Sequence, residues 1–370
     1  MHIPFYPAVL ISDGHTGVPP AWPPNPFKCC DGAPTLRSYS LMASNVSILS
    51  INKAFRSATT RTYTTASRRN QTLSLHDGRI LGYAEYGNRA GFPLLYFHGF
   101  PSSRLEASAV DQIARQRCLR VIAPDRPGYG LSTFQAGRRI TDYPADTQSL
   151  VDHLGVSKFA VLGGSGGGPY ALACAHSLPH ERLSAVGVLA GAGPWAAGRQ
   201  YVSTARRLLS LGAIYSPTAL RVLIDGLVDT SRWCIRTGPA TRWVDNWLEK
   251  QESQEESDLP TEDRRKMVLA MMFEAFAQGA AATVQEAGLL SHDWGFQFED
   301  ITYNNIRIWH GEKDTNSPIE MIRYMANRLP HCELREFQGD NHYTVARHIE
   351  KILAELVPEE VVQSHLARAS

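Results

Sequence analysis

The sequence has little of what membrane-spanning, metal-binding or nucleic-acid-binding proteins need. No run of eighteen apolar residues occurs in the 370-residue chain, so we expect no transmembrane segment. The formal net charge is only +1, which gives no general attraction for nucleic acid or another polyanion. The six cysteines lack the spacing of metal ligands, so we expect no metal site, and we interpret them as thiols of a reducing compartment without structural disulfides. No cofactor is expected either. With these classes set aside, a hydrophobic content of 43% predicts a globular protein with a sizeable core.

The N-terminal stretch lacks negative charge. No Asp or Glu occurs in residues 32–76, whereas Arg, Ser and Thr are frequent there, and residues 19–26 are rich in proline. A basic, Ser- and Thr-rich stretch without acids is typical of a mitochondrial transit segment, and a disordered linker without a targeting role is the alternative. We therefore predict that residues 1–70 are a disordered or targeting segment of an intracellular protein, either mitochondrial or cytoplasmic.

The most informative motif that is present is G-x-S-x-G at residues 163–167. It follows a strand-like apolar run and precedes a helical run, which is the context of a nucleophile elbow. At such a turn a serine is held with its hydroxyl exposed, and its neighbours must be small because a Cβ would clash. An ordinary glycine-rich loop is one alternative, and the dinucleotide-binding pattern G-x-G-x-x-A, which residues 166–171 also fit, is another. The strand–turn–helix context favours Ser165 as a nucleophile.

A serine nucleophile needs a base and a group that orients the base, and the chain provides both in the order expected after an elbow. Asp314 follows one strand-like run, and His342 follows another. Both are thus placed at the edge of an α/β sheet where ligands bind. We predict that His342 is the general base and that Asp314 orients it. Glu312 is expected to face solvent, and Asp340 is expected to stabilise the turn before His342.

Two backbone amides must stabilise the oxyanion that forms when an acyl carbonyl is attacked. One is expected from the residue after the nucleophile, Gly166, and the other from the loop after an earlier strand. That loop is H-G-F-P at residues 98–101, and since Pro101 has no N–H the predicted donor is Phe100. His98 is expected to brace this loop rather than to transfer protons.

Together these motifs resemble those of the α/β-hydrolase fold superfamily, in particular its serine-nucleophile members with a helical cap. The resemblance spans roughly residues 72–357 and rests on five elements: H-G-F-P, D-R-P-G-Y-G-L-S at residues 125–132, the elbow, G-E-K-D at residues 311–314, and His342. It implies an α/β fold with a mainly parallel sheet, helices on both faces and a helical cap inserted over the catalytic edge. Epoxide hydrolases and haloalkane dehalogenases of this superfamily carry aspartate at the apex of the elbow, so the serine argues against their chemistries.

The alternation of strands and helices stops between residues 193 and 292, and this interruption divides the chain. We predict a hydrolase core of residues 71–192 and 293–370, and a helical cap, or lid, of residues 193–292. The charged residues 251–265 are predicted to form a surface loop. The cap segment is rich in large apolar side chains, most of which we expect in the core of the cap and some at the substrate site: Trp195, Trp233, Trp243, Trp247, Met267, Met271, Met272, Phe273 and Phe276.

We therefore predict a serine hydrolase that acts through Ser165, His342 and Asp314. Its expected substrate is a carboxylic ester of an apolar, small-to-medium molecule, and no other partner is implied. C–C bond hydrolysis, aminopeptidase action and acyl transfer are alternatives, because the same triad serves them. A ligand-binding, receptor-like protein with little turnover is a further alternative.

Overall fold

A computed structural model describes residues 68–250 and 260–369, without the side chains of residues 247–250 and 369. The predicted N-terminal segment over residues 1–70 therefore lies almost wholly outside the described residues. Within the described ranges, no helix is long and apolar enough to span a membrane.

The core of the fold is one eight-stranded sheet. In chain order its strands are β1 (Gln71–Ser74), β2 (Ile80–Gly87), β3 (Phe92–Phe97), β4 (Leu119–Pro124), β5 (Phe159–Gly164), β6 (Leu183–Leu189), β7 (Ile306–Gly311) and β8 (Cys332–Phe337). Every residue of β3 and β5 is buried. Such continuous apolar burial is expected of parallel strands that helices cover on both faces.

The strands lie across the sheet in the order β1-β2-β4-β3-β5-β6-β7-β8. β1 and β2 form an antiparallel hairpin and β2 is antiparallel to β4, whereas the pairs from β4 to β8 are parallel. The chain places β4 on one side of β3 and β5 on the other, so a topological switch point lies between β3 and β5. A crevice that can bind a ligand opens at the carboxyl ends of strands at such a point. Because Phe97 pairs with Gly163, the loop after β3 meets the glycine-rich turn after β5.

Helices cover both faces of the sheet, as the fold class predicts. They are α1 (Asp111–Gln116), α2 (Tyr143–His153), α3 (Gly168–Ser177), α4 (Thr204–Tyr215), α5 (Pro217–Ile235), α6 (Gly238–Lys250), α7 (Thr261–Glu274), α8 (Ala281–Ser291), α9 (Ile319–Arg328), α10 (Ile349–Leu356) and α11 (Glu359–Ala369). Side chains of α2, α3 and α9 form the core on one face of the sheet, and those of α1, α10 and α11 form it on the other.

The segment between β6 and β7 is helical, as predicted, but its large apolar residues do not share one core. Trp233 of α5 and Trp243 of α6 are 69% and 61% exposed, so these two do not belong to a cap core, where most of the large apolar residues of the segment were expected. A sequence pattern shows which residues share a helix face, but it does not show which face is buried. A small cluster is built instead on Val244 and Val268, with methionines of α7 against it. The boundaries 193–292 of a cap stay a prediction.

Two local predictions are also wrong. The predicted surface loop over residues 251–265 ends early, since α7 begins at Thr261, and residues 251–259 lie outside the described residues. Cys118 is disulfide-bonded, contrary to the expectation of no structural disulfide. The free thiols among the described residues are those of Cys174, Cys234 and Cys332.

Buried ion pairs join the helices of the insertion to loops of the sheet. Glu286 of α8 lies between two arginines of the core, with its carboxylate 2.7 Å from Arg126 and 2.6 Å from Arg138. Arg104 pairs with Asp125 at 2.9 Å within the core and with Glu274 of α7 at 2.6 Å. Because a charge is stable in a protein interior only when it is paired, these contacts hold α7 and α8 against those loops.

Candidate active site

The turn between β5 and α3 has the geometry expected of a nucleophile elbow. Ser165 has a φ of +49°, a left-handed conformation that is strained for a residue with a side chain. The turn is too tight for larger neighbours, because a Cβ on Gly163 would lie 2.5 Å from the carbonyl oxygen of Gly167. The buried strand and helix on either side hold the strain, and they leave Ser165 partly exposed at the apex.

The structure brings the three residues predicted as a catalytic triad into one hydrogen-bonded chain. Ser165 Oγ lies 3.0 Å from His342 Nε2. His342 Nδ1 lies 2.7 Å from Asp314 Oδ2. Since a carboxylate only accepts hydrogen bonds, Nδ1 carries the proton and Nε2 is left to accept a proton from the serine hydroxyl. The arrangement is that of a nucleophile, a base and an orienting acid, and the catalytic roles themselves stay a prediction.

Asp314 is buried but remains ionised, because donors surround its carboxylate. Oδ1 accepts hydrogen bonds from the backbone amides of Asn316 at 2.7 Å and Ser317 at 2.9 Å. Burial alone would raise the pKa of Asp314, but the hydrogen bonds from His310 and His342 outweigh it and hold that pKa well below its usual range. A fixed negative charge at this point orients His342 and stabilises the imidazolium that forms when the histidine takes up a proton.

His310 is a second histidine on the same carboxylate, and the sequence reasoning did not identify it. It is the buried penultimate residue of β7, and its Nε2 lies 3.1 Å from Asp314 Oδ2 and 2.8 Å from the carbonyl oxygen of Ser317. These contacts tie the loop that carries Asp314 to the end of its own strand. The histidine four residues before the acid, at the end of a strand, was the signal available in the sequence.

The predicted oxyanion donors lie next to each other. Arg126 Nη2 donates to the carbonyl oxygen of Gly99 at 2.8 Å, and His98 Nδ1 lies 2.9 Å from the same oxygen. In a trans peptide the N–H points away from the C=O, so the N–H of Phe100 is directed away from these two side chains. A Cβ built on Gly166 would lie 2.6 Å from Phe100 Cβ and 3.1 Å from Phe100 N. The amides of Phe100 and Gly166 are therefore placed close together beside Ser165.

His98 braces this loop in a neutral form. Its ring is fully buried, its Nε2 accepts a hydrogen bond from the backbone N–H of Arg126 at 3.1 Å, and its Nδ1 donates to Gly99. Burial, together with the positive charge of Arg126, lowers the pKa of His98 well below its usual value. Both ring nitrogens are occupied by backbone contacts, as expected for a structural histidine.

A second carboxylate flanks the elbow. Glu106 accepts hydrogen bonds from the backbone N–H of Gly99 at 3.0 Å and from the hydroxyl of Tyr96 at 2.7 Å. A Cβ built on Gly99 would lie 3.3 Å from Glu106 Oε2 and 3.4 Å from Ser165 Cβ. Glu106 therefore fixes the amide of Gly99 on the side of the loop that faces the nucleophile, and the sequence reasoning did not identify it.

Neither of the other acids near His342 in the sequence takes the place of Asp314. Glu312 is exposed, as expected. Asp340 is buried, but its carboxylate contacts His348 at 2.8 Å and Arg347 at 3.0 Å, so it stabilises the turn after His342 and not the turn before it. Within residues 68–250 and 260–369, no group of three His, Cys, Asp or Glu side chains could hold a metal ion.

Comparison with known proteins gives the same fold. A family model for the alpha/beta hydrolase fold matches residues 93–207. The chain is 35% identical over 117 residues to the dihydrolipoyllysine-residue acetyltransferase component of the acetoin cleaving system of Pseudomonas putida, which is 31% of either chain. It is 33% identical over 135 residues to Lipase 1 of Psychrobacter immobilis, which is 35% of this chain and 40% of the lipase. The matched stretch thus spans less than half the length of these curated relatives.

A solved structure extends the likeness to most of the chain. The esterase EaEST from Exiguobacterium antarcticum is similar with a TM-score of 0.51 and 18% identity, over 80% of this chain and 99% of the esterase. At that identity the likeness shows the fold and leaves the reaction open. The family match over residues 93–207, the order of the eight strands and the elbow between β5 and α3 agree with one another, and the chain has the α/β-hydrolase fold.

Proposed function

We propose that this protein is a serine hydrolase that cleaves a carboxylic ester by way of an acyl-enzyme. The observation that carries the proposal is the hydrogen-bonded chain in which Ser165 Oγ lies 3.0 Å from His342 and His342 lies 2.7 Å from Asp314. The first residue of this hydrogen-bonded chain is a partly exposed serine with a strained backbone. Such strain is typical of a functional residue and not of an ordinary loop serine.

In the first half of the reaction Ser165 Oγ attacks the carbonyl carbon of the ester, and His342 Nε2 takes up the hydroxyl proton. The carbonyl oxygen becomes an oxyanion, which the N–H groups of Phe100 and Gly166 stabilise. The bond between the carbonyl carbon and the alcohol oxygen then breaks, and His342 gives its proton to the departing alcohol. Asp314 keeps its negative charge throughout and stabilises the positively charged imidazole.

In the second half a water molecule attacks the acyl carbon, and His342 takes up one of its protons. The bond to Ser165 Oγ breaks as His342 returns the proton to the serine. The carboxylic acid is released and the side chains are back in their starting state. No other cofactor or co-reactant enters this sequence.

The surroundings of the elbow support an apolar acyl group. A Cβ built on Gly166 would lie 3.4 Å from Leu290 of α8, so an apolar side chain of the insertion faces the nucleophile. Phe100 adds a second apolar side chain at the same place. Trp233 and Trp243 are largely exposed, so we do not assign them to the acyl site. We therefore assign the role of a cap over the substrate to the helix α8 and its neighbours in residues 193–292.

The names of the relatives support hydrolysis of an ester, but they also support acyl transfer as an alternative. A lipase and an esterase are among them, and so is an acetyltransferase component. Acyl transfer would use the same acyl-enzyme, with another nucleophile in place of water in the second half.

Hydrolysis of p-nitrophenyl esters of increasing acyl length, by the wild type beside Ser165→Ala, tests the proposal. We expect the variant to lose about four to six orders of magnitude in kcat, as removal of a serine nucleophile does in other enzymes. We also expect it to lose labelling by a fluorophosphonate, which reacts with activated serines. Full esterase activity in a folded Ser165→Ala protein would exclude the proposal. Labelling of the wild type without ester turnover would favour acyl transfer or a receptor-like role.

A further inference from the structure

A cleft of about 510 Å³ lies on the far side of α8 from the nucleophile. It is bounded by α8, by α4 and α5 of the insertion, and by the loop at residues 134–138 of the core. Its volume is within the range of small-molecule sites, about 300–1,000 Å³. Ser165, His342, Asp314, Phe100 and Gly166 do not line it.

The two faces of α8 separate this cleft from the candidate active site. Val284, Gly288 and Leu289 line the cleft. Glu286 and Leu290 lie on the opposite face of the helix. Glu286 contacts Arg126, and Leu290 approaches Gly166. A molecule in the cleft is therefore divided from Ser165 by the thickness of a helix, and the cleft is a distinct site.

Hydrogen bonds join two walls of the cleft, the helix α8 and the core loop at residues 134–138. Gln285 of α8 donates from Nε2 to the carbonyl oxygen of Gln135 at 2.9 Å, and its Oε1 accepts from the backbone N–H of Gly137 at 3.0 Å. These two bonds hold the core loop against the helix. The site is thus formed before any ligand arrives, which reduces the entropy lost on binding.

The charged groups of the cleft are positive. Arg138 and Arg221 line it, and among the described residues that line it there is no Asp or Glu. The remaining lining is mainly apolar and includes Phe134, whose side chain is 37% exposed.

Arg138 brings an excess of positive charge to the wall of the cleft. It shares the carboxylate of Glu286 with Arg126, so two buried guanidinium groups face one carboxylate. Arg138 is only 4% exposed, and its Nε finds no hydrogen-bond partner among the residues that the structure describes. Arg221 contributes a second guanidinium, which lies 3.4 Å from Asp225 in a loose, exposed ion pair.

We propose that this cleft binds a singly charged, apolar carboxylate, with its chain along the apolar face of α8 and its carboxylate at Arg138 and Arg221. The one uncompensated positive charge attracts a monoanion, and guanidinium groups hold carboxylates through charge-assisted hydrogen bonds. The apolar lining selects a ligand with a hydrocarbon body over a small polar anion. The site would let an apolar acid act on α8, and through Glu286 on the loop that carries Phe100.

Isothermal titration of the Ser165→Ala protein with dodecanoate tests the proposal without any need for activity. We expect saturable binding of one dodecanoate, binding of dodecanol at least about tenfold weaker, and no measurable binding of acetate. Equal affinity for dodecanoate and dodecanol, or uptake without saturation, would overturn it. Because the readout is binding, this result does not depend on whether Ser165 is a nucleophile.

Two pairs of variants locate the ligand. A Cβ on Gly288 meets nothing within 4 Å, so Gly288→Leu should fill the cleft without strain and abolish dodecanoate binding. Gly226→Leu, in the open on α5, is its control and should bind as before. Arg221→Gln should weaken dodecanoate about tenfold and leave dodecanol unchanged, whereas the exposed Arg236→Gln should change neither. Undiminished binding by a folded Gly288→Leu protein would place the ligand elsewhere and refute the proposal.

Discussion

The carboxylate of Glu286 and the guanidinium of Arg126 lie 2.7 Å apart in the protein interior, although 160 residues separate them in the chain. Arg126 in turn holds the carbonyl oxygen of Gly99 at 2.8 Å. Because that carbonyl fixes the direction of the Phe100 N–H, a helix of the insertion sets the orientation of a predicted oxyanion donor. If Phe100 stabilises the oxyanion as proposed, the contact links the position of α8 to the stabilisation of the transition state.

Glu286→Gln should lower kcat for a p-nitrophenyl ester about ten- to a hundredfold, with a smaller change in KM. Loss of a whole oxyanion donor costs about a hundred- to a thousandfold in other enzymes, and a loosened donor should cost less. The variant also leaves buried arginines without a counter-charge, which costs about 3–5 kcal/mol of stability. Steady-state kinetics and thermal unfolding measure the two effects.

The matched control for this variant is Asp142→Asn, which breaks an ion pair with Arg139 at the surface, where Arg139 is 76% exposed. An exposed pair contributes at most about 1 kcal/mol, so both kcat and the melting temperature should stay close to wild type. A folded Glu286→Gln protein with wild-type kcat would show that α8 does not position the oxyanion donor.

Gly166→Ala should reduce kcat about a hundred- to a thousandfold while the protein stays folded. The added Cβ would lie 2.6 Å from Phe100 Cβ, so the Phe100 loop has to move away from the elbow and one amide leaves the oxyanion. The rate of fluorophosphonate labelling should fall as well, since that reaction also develops charge at the oxyanion site. Gly226→Ala is the control, because its Cβ would touch nothing. Retention of full activity by Gly166→Ala would remove Gly166 and Phe100 from the mechanism.

His98 makes the stability of the fold depend on pH. The pKa of His98 is lowered in the folded protein. Below about pH 6.5 the histidine therefore binds a proton in the unfolded chain but stays neutral in the folded protein. Folding stability contributed by the neutral ring is therefore present above about pH 6.5 and is lost as the pH falls below it. The slope from this one group approaches about 1.4 kcal/mol per pH unit.

His98→Gln should make the stability less sensitive to pH between 7 and 5. The amide of Gln can donate to Gly99 and accept from the backbone N–H of Arg126, as the neutral imidazole does, but it does not titrate. Urea unfolding at several pH values measures the slope, and His153→Gln, at an exposed position of α2, controls for the substitution. An unchanged slope in His98→Gln would show that another group carries the pH dependence.

The sequence was sufficient to predict the parts of the fold that depend on local patterns. The elbow after β5 is such a part, since G-x-S-x-G and the runs on either side of it lie within a few residues of one another. The order in which Ser165, Asp314 and His342 follow strand ends also predicted that they would meet, since parallel strands deliver their carboxyl ends to one edge.

The parts that the sequence did not predict depend on contacts between distant segments. Nothing near Glu286 indicates that two arginines from other loops surround it. Trp233 and Trp243 were expected inside because they are large and apolar, but burial of a helix face depends on what packs against it, and nothing in their own spacing reveals that. The role of His310 was not predicted either, because it depends on a contact with Asp314, the acid of the predicted triad, and not on a contact with the base.

His310 should act as a positioning residue for Asp314, which it contacts at 3.1 Å. His310→Phe removes the donor from the carboxylate, and we expect kcat to fall about ten- to a hundredfold because small displacements of catalytic groups are costly, with little change in KM. His310→Gln keeps a donor at this position and should recover most of the activity. A purely structural role would instead lower the melting temperature of both variants and leave kcat of the folded fraction unchanged. Active-site titration with a fluorophosphonate counts that fraction, so kcat per labelled serine distinguishes the two outcomes.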